Sequence, residues 1–185
     1  MKNICLSLVL IVLFFSNARA ESYQKTDLGI KSVIKSVGIE IQFYSPSTVR
    51  ILKWPDGEDF TKKSLSVIKT PQKTNFSVKQ HGDELSLKSE KIVVVVNLKS
   101  GRVSFKTPAG EPLLNEKNDG VSFVDFNDAG EKTYTVAQSF VLDKDEAIYG
   151  LGIQQKGNMV QRNLKMQMVQ NNTEDFVAFF QSVKG

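Results

Sequence analysis

Three acidic side chains fall within four consecutive residues, at Asp143, Asp145 and Glu146. Carboxylates this close together could bind a calcium ion or act as catalytic acids in a small hydrolase. A calcium loop requires more oxygen ligands at a set spacing, and an apolar stretch resumes at Ile148. The pattern therefore favours a polar turn, and catalysis by these carboxylates is kept as an alternative.

The other polar and aromatic candidates indicate structure more than chemistry. A single His and a single Cys exclude a multi-His or multi-Cys metal site, and no Ser/His/Asp set can be assembled. His81 precedes Gly82 and is expected to be a solvated turn residue, and Lys62 and Lys63 are expected to form a solvated face. Trp54, the only Trp, could stack on a sugar ring, but such a lone Trp more often packs at the edge of a sandwich. We expect neither a metal nor a cofactor.

Two closely spaced glycines occur in Tyr149-Gly150-Leu151-Gly152. A dinucleotide-binding loop needs a third glycine and a following helix, and this pattern has neither. Glycines between strands often allow a bend or a bulge. The motif therefore predicts a backbone bend and not a phosphate site.

The first twenty residues have the three parts of a secretory signal peptide. Lys2 supplies the positive start, residues 4–15 form an apolar run, and Ala18-Arg19-Ala20 matches a cleavage site. The run is too short for a membrane-spanning helix, which needs about 20 apolar residues. Cleavage after Ala20 predicts a secreted or periplasmic protein with no membrane partner.

Cleavage also changes the charge and the cysteine content of the chain. It removes two basic residues, Lys2 and Arg19, and no acidic one, which lowers the formal net charge from +4 to +2. It also removes Cys5, so the remaining chain has no Cys, which suits an oxidising compartment without disulfides. A charge of +2 gives no case for a nucleic-acid partner, which needs a concentrated basic face.

The chain alternates apolar and polar residues over many short stretches, which predicts strands and not helices. Turn residues such as Ser45-Pro46-Ser47 and His81-Gly82-Asp83 separate these stretches. The predicted strands cover residues 39–43, 49–51, 75–79, 84–88, 92–96, 103–105, 134–142, 164–170 and 176–183. The five β-branched residues at 92–96 are typical of a strand that is buried on both faces, or nearly so. This pattern indicates an all-β fold, an antiparallel β-sandwich.

The length of the chain limits its domain organisation. The 185 residues allow one domain of ordinary size and are too few for a (β/α)₈ barrel, which usually needs about 250 residues. We expect a polar N-terminal arm at residues 21–31 and one sandwich domain at residues 32–185. The apolar strand predicted at 176–183 has no following strand to cover it, and an unpaired apolar edge favours aggregation. The sandwich is therefore expected to be incomplete at its C-terminus.

The C-terminal part of the sequence resembles the end of the N-terminal β-sandwich domain of glycoside hydrolase family 31. The resemblance covers about residues 32–185 and is most specific after residue 139, with paired Gln residues and a Gln-Asn-Asn stretch that look most like bacterial secreted α-xylosidases and α-glucosidases. The family often has Gly after the arginine of its motif, where this chain has Asn163. The motifs that carry the resemblance are Ser139-Phe140-Val141-Leu142, Asp145-Glu146, Tyr149-Gly150-Leu151-Gly152, Gln154-Gln155-Lys156-Gly157, Gln161-Arg162-Asn163-Leu164, Val169-Gln170-Asn171-Asn172-Thr173 and Ser182-Val183-Lys184-Gly185.

The resemblance implies a galactose-mutarotase-like sandwich that precedes a catalytic (β/α)₈ barrel. In that family the barrel supplies two carboxylates for retaining hydrolysis of an α-glycosidic bond, and no Asp or Glu of this chain matches either. The resemblance therefore implies a non-catalytic, carbohydrate-contacting domain that packs on the barrel of a full-length enzyme and is inactive alone.

The resemblance also implies a sugar-contacting loop, because a loop of the family's sandwich lines the sugar site at the barrel mouth. The matching residues are Gln170, Asn171, Asn172, Thr173 and Glu174, whose polar groups suit sugar hydroxyls. A simple turn explains Asn-Asn-Thr equally well. The alternative for the whole chain is a free-standing secreted β-sandwich that binds carbohydrate or a protein partner.

Overall fold

The computed structural model describes residues 23–58, 60–155 and 157–184. The predicted signal peptide, residues 1–20, lies outside the described residues. None of the described residues belongs to a helix long and apolar enough to cross a membrane.

Alternating apolar side chains shape the first sheet. Its four antiparallel strands follow one another in chain order: β1 (Gln24–Lys25), β2 (Gly29–Ile34), β3 (Val37–Ser45) and β4 (Thr48–Pro55). Ile39, Ile41 and Phe43 are fully buried on one face of β3, as their spacing of two predicts. The predicted turn at Pro46 joins β3 to β4, and Ser45 Oγ accepts a hydrogen bond from the Ser47 N–H (3.3 Å).

The N-terminal arm predicted at residues 21–31 is corrected by this sheet. Gln24 and Lys25 pair with Lys31 and Ile30, and β2 continues the pairing against β3. Ile30 is fully buried, so its apolar burial and the strand hydrogen bonds hold this segment on the sandwich. The described part of the segment belongs to the first sheet and is not a loose arm.

The second sheet is an antiparallel meander of six strands in the order β10-β9-β8-β7-β6-β5. Its strands are β5 (Ser77–His81), β6 (Glu84–Lys88), β7 (Val93–Asn97), β8 (Val103–Lys106), β9 (Pro112–Asp128) and β10 (Glu131–Val141). In β7, Val94 and Val96 are fully buried whereas Val93 and Val95 are half-buried. One face of β7 is therefore fully buried, and the face that carries Val93 and Val95 is partly covered, so burial on the second face is less complete than on the first.

Apolar side chains from both sheets meet in one core, which makes the fold a sandwich. The predicted all-β antiparallel sandwich is confirmed. The core cluster contains Ile30, Ile34, Ile39, Ile41 and Phe43 from the first sheet and Leu85, Leu87, Val94, Val96 and Val103 from the second.

The C-terminal third is less regular than its sequence pattern suggests. Its third, small sheet pairs β11 (Ile148–Gly150) with β12 (Phe180–Ser182). The strand predicted at 134–142 is confirmed as β10, but the one at 164–170 is wrong and the one at 176–183 shrinks to β12. Leu164 and Met168 are over 40% exposed. Their side chains therefore do not pack on an apolar surface, and the segment pairs with no strand among the described residues.

Candidate functional site

The glycine pair at the end of β11 lies against the segment that follows the predicted sugar-contacting loop. Gly150, Leu151 and Gly152 all have positive φ, at 100°, 66° and 91°. A Cβ on Gly152 would overlap the carbonyl oxygen of Asp175, and one on Gly150 would come within 2.7 Å of the Phe179 carbonyl oxygen. Only glycine allows both this conformation and this close approach. The predicted backbone bend is confirmed.

Two sets of hydrogen bonds fix the far end of that loop. The Ile153 N–H donates to the Asp175 carbonyl (2.8 Å), and the Asp175 N–H donates back to the Ile153 carbonyl (3.1 Å). The Gln170 side chain closes the turn from the other side. Its Nε2 donates to the Phe176 carbonyl (3.0 Å) and its Oε1 accepts from the Phe176 N–H (3.0 Å). Gln170, predicted as a sugar ligand, thus uses both amide atoms within the fold.

Asn171 organises the tip of the loop. Its Oδ1 accepts from the N–H groups of Thr173 (2.9 Å) and Glu174 (2.9 Å) and from the Thr173 hydroxyl (3.3 Å). Its Nδ2 donates to Glu174 Oε2 (3.3 Å), and the Asn171 N–H donates to the Glu174 carbonyl (3.1 Å). An Asn side chain that bonds the backbone two and three residues ahead stabilises a turn locally. The turn predicted from Asn-Asn-Thr is therefore present in the structure.

A smaller set of polar groups remains available on this turn. Asn172 is exposed, and its amide makes no hydrogen bond to the described part of the chain. Glu174 is half-buried and uses Oε2 in its bond to Asn171. The cavity beside the loop, which Glu174 lines, measures only about 10 Å³, room for about one water molecule. This side of the loop can present hydrogen-bonding groups to a sugar but cannot enclose one.

Within the acidic cluster, Glu146 forms a buried brace between the turn at residues 143–146 and Ser182, whereas Asp143 and Asp145 are exposed. Glu146 is almost fully buried, and its carboxylate accepts from the Asp143 N–H (2.9 Å) and the Ser182 hydroxyl (2.5 Å). The Lys184 Nζ lies 3.5 Å from it. Burial raises the pKa of Glu146, but the two hydrogen bonds and the Lys184 charge outweigh it, so the pKa is lowered overall. The polar turn predicted here is confirmed.

Two basic residues complete this brace. The Arg162 Nη1 donates to the carbonyls of Asp143 (2.7 Å) and Glu146 (3.0 Å). The Lys184 Nζ lies 2.6 Å from the Asp143 carboxylate, which raises the pKa of Lys184. Residue types alone did not pair these groups, because the partners lie up to 41 residues apart in sequence. Glu146, Arg162 and Lys184 all lie in the resemblance motifs, which was the signal that could have grouped them, whereas Asp143 lies outside those motifs. Among the described residues, no group of three or more His, Cys, Asp or Glu side chains is placed to hold a metal ion.

Trp54 packs over Gly38 on the edge strand of the first sheet. The two residues face each other across β3 and β4, and a Cβ on Gly38 would overlap the indole ring. Trp54 is half-buried. The prediction of a packing residue at the sandwich edge is confirmed.

Comparison with known proteins identifies relatives that match most of this chain. The model of the glycosyl hydrolase 31 N-terminal galactose mutarotase-like domain matches residues 38–176. An α-xylosidase of Saccharolobus solfataricus is 28% identical over 162 residues, which cover 82% of this chain and 22% of the relative. The crystal structure of the GH31 α-xylosidase of Xanthomonas citri is 31% identical with a TM-score of 0.80, over 87% of this chain and 18% of that one.

A further solved structure shares the fold. It is a GH31 α-xylosidase from a soil metagenome in complex with xylose, 19% identical with a TM-score of 0.74, over 88% of this chain and 27% of that one. The chain thus spans about a fifth to a quarter of the length of these relatives.

Proposed function

Because the chain belongs to the family of glycosyl hydrolase 31 N-terminal galactose mutarotase-like domains, we propose that it is the non-catalytic, carbohydrate-contacting sandwich of a longer secreted α-glycosidase. The observation that carries this proposal is the family match over residues 38–176, together with the small fraction of the α-xylosidase relatives that the chain spans. In such an enzyme the two carboxylates that hydrolyse the glycosidic bond lie outside this sandwich.

The turn at residues 170–174 is the proposed sugar-contacting element. The available Asn172 amide offers two donors and an acceptor, which suits sugar hydroxyls. Asn171 and Gln170 hold the turn in place through their own hydrogen bonds. Because the adjoining cavity holds no more than a water molecule, the sugar must lie between this turn and a second surface. The xylose complex of the soil metagenome relative supports a sugar ligand for the full-length enzyme.

Secretion is the second part of the proposal. It rests on the apolar run and the Ala18-Arg19-Ala20 site at the start of the chain. N-terminal sequencing of the exported protein tests it, and a first residue of Glu21 is the expected result. Retention of Met1 in the exported fraction would contradict it.

Reading the coding DNA past Gly185 tests the domain assignment most directly. We expect an open frame that continues with further strands and then with repeated βα units. The isolated chain should release no product from aryl α-xylosides or α-glucosides, whereas the product of the continued frame should hydrolyse one of them. A stop codon with no such sequence downstream would refute the assignment.

The loop is tested in the longer enzyme by Asn172→Ala. Loss of a sugar hydrogen bond should raise KM severalfold for the substrate that the enzyme cleaves. Asn118→Ala is the matched control, because Asn118 is also an exposed Asn but lies on β9. Equal KM values for the two variants would contradict a contact between the loop and the sugar.

Tight binding of neutral oligosaccharides by the isolated chain would instead support a free-standing sugar-binding sandwich.

A further inference from the structure

A groove of about 740 Å³ lies between the outer face of the first sheet and the connection from β4 to β5. Its floor contains Glu40, Tyr44, Arg50 and Leu52, and its wall is built by residues 60–64 and 67–71. This volume falls in the range of about 300–1,000 Å³ that is usual for small-molecule sites. The groove lies apart from the turn at residues 170–174, which lines none of it.

The strand register explains why the floor is polar and aromatic. Core residues occupy one face of β3, so Glu40 and Tyr44 alternate onto the outer face. Arg50 on β4 pairs with Gln42, and its Nη1 donates to Gln42 Oε1 (3.4 Å). As far as the described residues are concerned, that bond leaves most of the five guanidinium N–H donors available.

The groove has a marked excess of positive charge. Its charged lining residues are Arg50, Lys62, Lys63 and Lys69 against one carboxylate, Glu40. Glu40 is paired with Lys31, whose Nζ lies 3.3 Å from Oε1. The three lining lysines form no ion pair with the described part of the chain, so their charges are not compensated there. The sequence predicts that Lys62 and Lys63 form a solvated face, and the structure adds that both line the same groove as Arg50.

Aromatic surface accompanies the charge. Tyr44 lies on the floor and Phe60, which is 48% exposed, lies on the wall. Such rings present flat faces against which the C–H face of a sugar can pack. A guanidinium binds a carboxylate through two parallel hydrogen bonds. The groove therefore combines a stacking surface with a carboxylate-binding group.

From this combination we propose that the groove binds an acidic oligosaccharide, with a sugar ring against Tyr44 or Phe60 and its carboxylate at Arg50. The lysines of the wall attract the further carboxylates of the same ligand. A neutral sugar would use the rings but not the charges. This site is additional to the proposed role of the turn at residues 170–174.

Calorimetric titration of the full chain with tetragalacturonate and with uncharged xylotetraose tests the proposal. We expect tetragalacturonate to bind at least about tenfold more tightly, since loss of one charge-assisted hydrogen bond alone has roughly that effect. Added salt should weaken its binding. Equal affinity for the two tetrasaccharides, or no heat with either, would overturn the proposal.

Two variants locate the site. Arg50→Gln should weaken tetragalacturonate binding about tenfold, whereas Lys79→Gln, on the exposed edge strand β5, should leave it unchanged. Melting curves followed by circular dichroism show whether Arg50→Gln still folds. The double variant Lys62→Gln and Lys63→Gln changes the wall of the groove instead of the sheet, and it should also weaken tetragalacturonate binding. Equal effects of Arg50→Gln and Lys79→Gln would overturn the proposal, as would equally tight binding of a short oligonucleotide. None of these failures would affect the hydrolysis test of the longer enzyme.

Discussion

A buried ion pair between the two sheets gives the sharpest test of how this sandwich is held together. The Lys53 Nζ of β4 lies 2.5 Å from Glu116 Oε2 of β9, and both side chains are less than 8% exposed. The same Glu116 oxygen accepts from the Val103 N–H (2.7 Å), and the Lys53 Nζ also donates to the Gly101 carbonyl (3.1 Å). The pair therefore joins the sheets and satisfies backbone groups of the turn before β8.

Lys53→Met keeps most of the aliphatic side chain but removes the charge. Within the described part of the chain, Glu116 would then remain buried with one donor, the Val103 N–H, and no positive partner. Breaking a buried pair in this way costs about 3–5 kcal/mol of unfolding free energy. For a domain of this size the corresponding fall in Tm is on the order of 10 °C. Urea unfolding and thermal melts, both followed by circular dichroism, measure the two quantities.

An exposed ion pair provides the matched control for Lys53→Met. The Lys99 Nζ lies 2.7 Å from the Asp83 carboxylate, with both side chains at least half exposed. Lys99→Met should therefore cost at most about 1 kcal/mol. Lys53→Met combined with Glu116→Leu should recover much of the loss, because it removes both buried charges together. The reasoning fails if Lys53→Met costs no more than Lys99→Met, or if the double variant is no better than the single one.

Three further predictions concern the C-terminal third. The folded-state pKa of Glu146 is lowered, so its stabilisation is full above its ordinary value of 4.5 and is lost as the pH falls through the lowered one. Acid titration of unfolding should show a weaker pH dependence for Glu146→Gln, and an unchanged profile would refute this. Gly152→Ala should lower Tm by several degrees, because the added Cβ would meet the Asp175 carbonyl. Gly57→Ala is the control, because its Cβ would enter open space and only the positive φ would cause strain. Equal losses of Tm in the two variants would contradict the role of the close approach. Asn171→Ala should speed amide hydrogen exchange at residues 173 and 174, whose N–H groups lose their acceptor, and unchanged rates would contradict its place in the turn.

The alternation of apolar and polar residues predicts the strands correctly where a neighbouring sheet covers their apolar face. Ile39, Ile41 and Phe43 alternate into the core, and the turn at Pro46 returns the chain directly to β4. The same alternation at 164–170 does not produce a strand, because no strand among the described residues pairs with it. A period of two shows that one face could be buried, and tertiary structure decides whether anything covers that face.

The arm and the loop show two other limits of sequence-based prediction. The polar composition of residues 21–31 hides Ile30, whose burial depends on strands that follow it in sequence. At the loop, the pattern Asn-Asn-Thr supports both a turn and a sugar contact. The structure places the Asn171 side chain within the turn, whereas Asn172 makes no hydrogen bond to the described part of the chain. Such a division depends on side-chain direction, which spacing alone does not determine.

The motifs that resemble the glycosidase family converge in space for reasons that are largely structural. Gly150 and Gly152 allow the close approach of residues 175–179, and Glu146 binds Ser182 from behind. Asn163, which stands where the family often has Gly, adopts a φ of 62°, a conformation that Asn tolerates better than most residues. These groups hold the base from which the turn at 170–174 projects. A substitution in this base would thus displace the turn as a unit, so the proposed sugar-contacting role of the turn predicts that it raises KM in a longer enzyme without changing a residue of the turn itself.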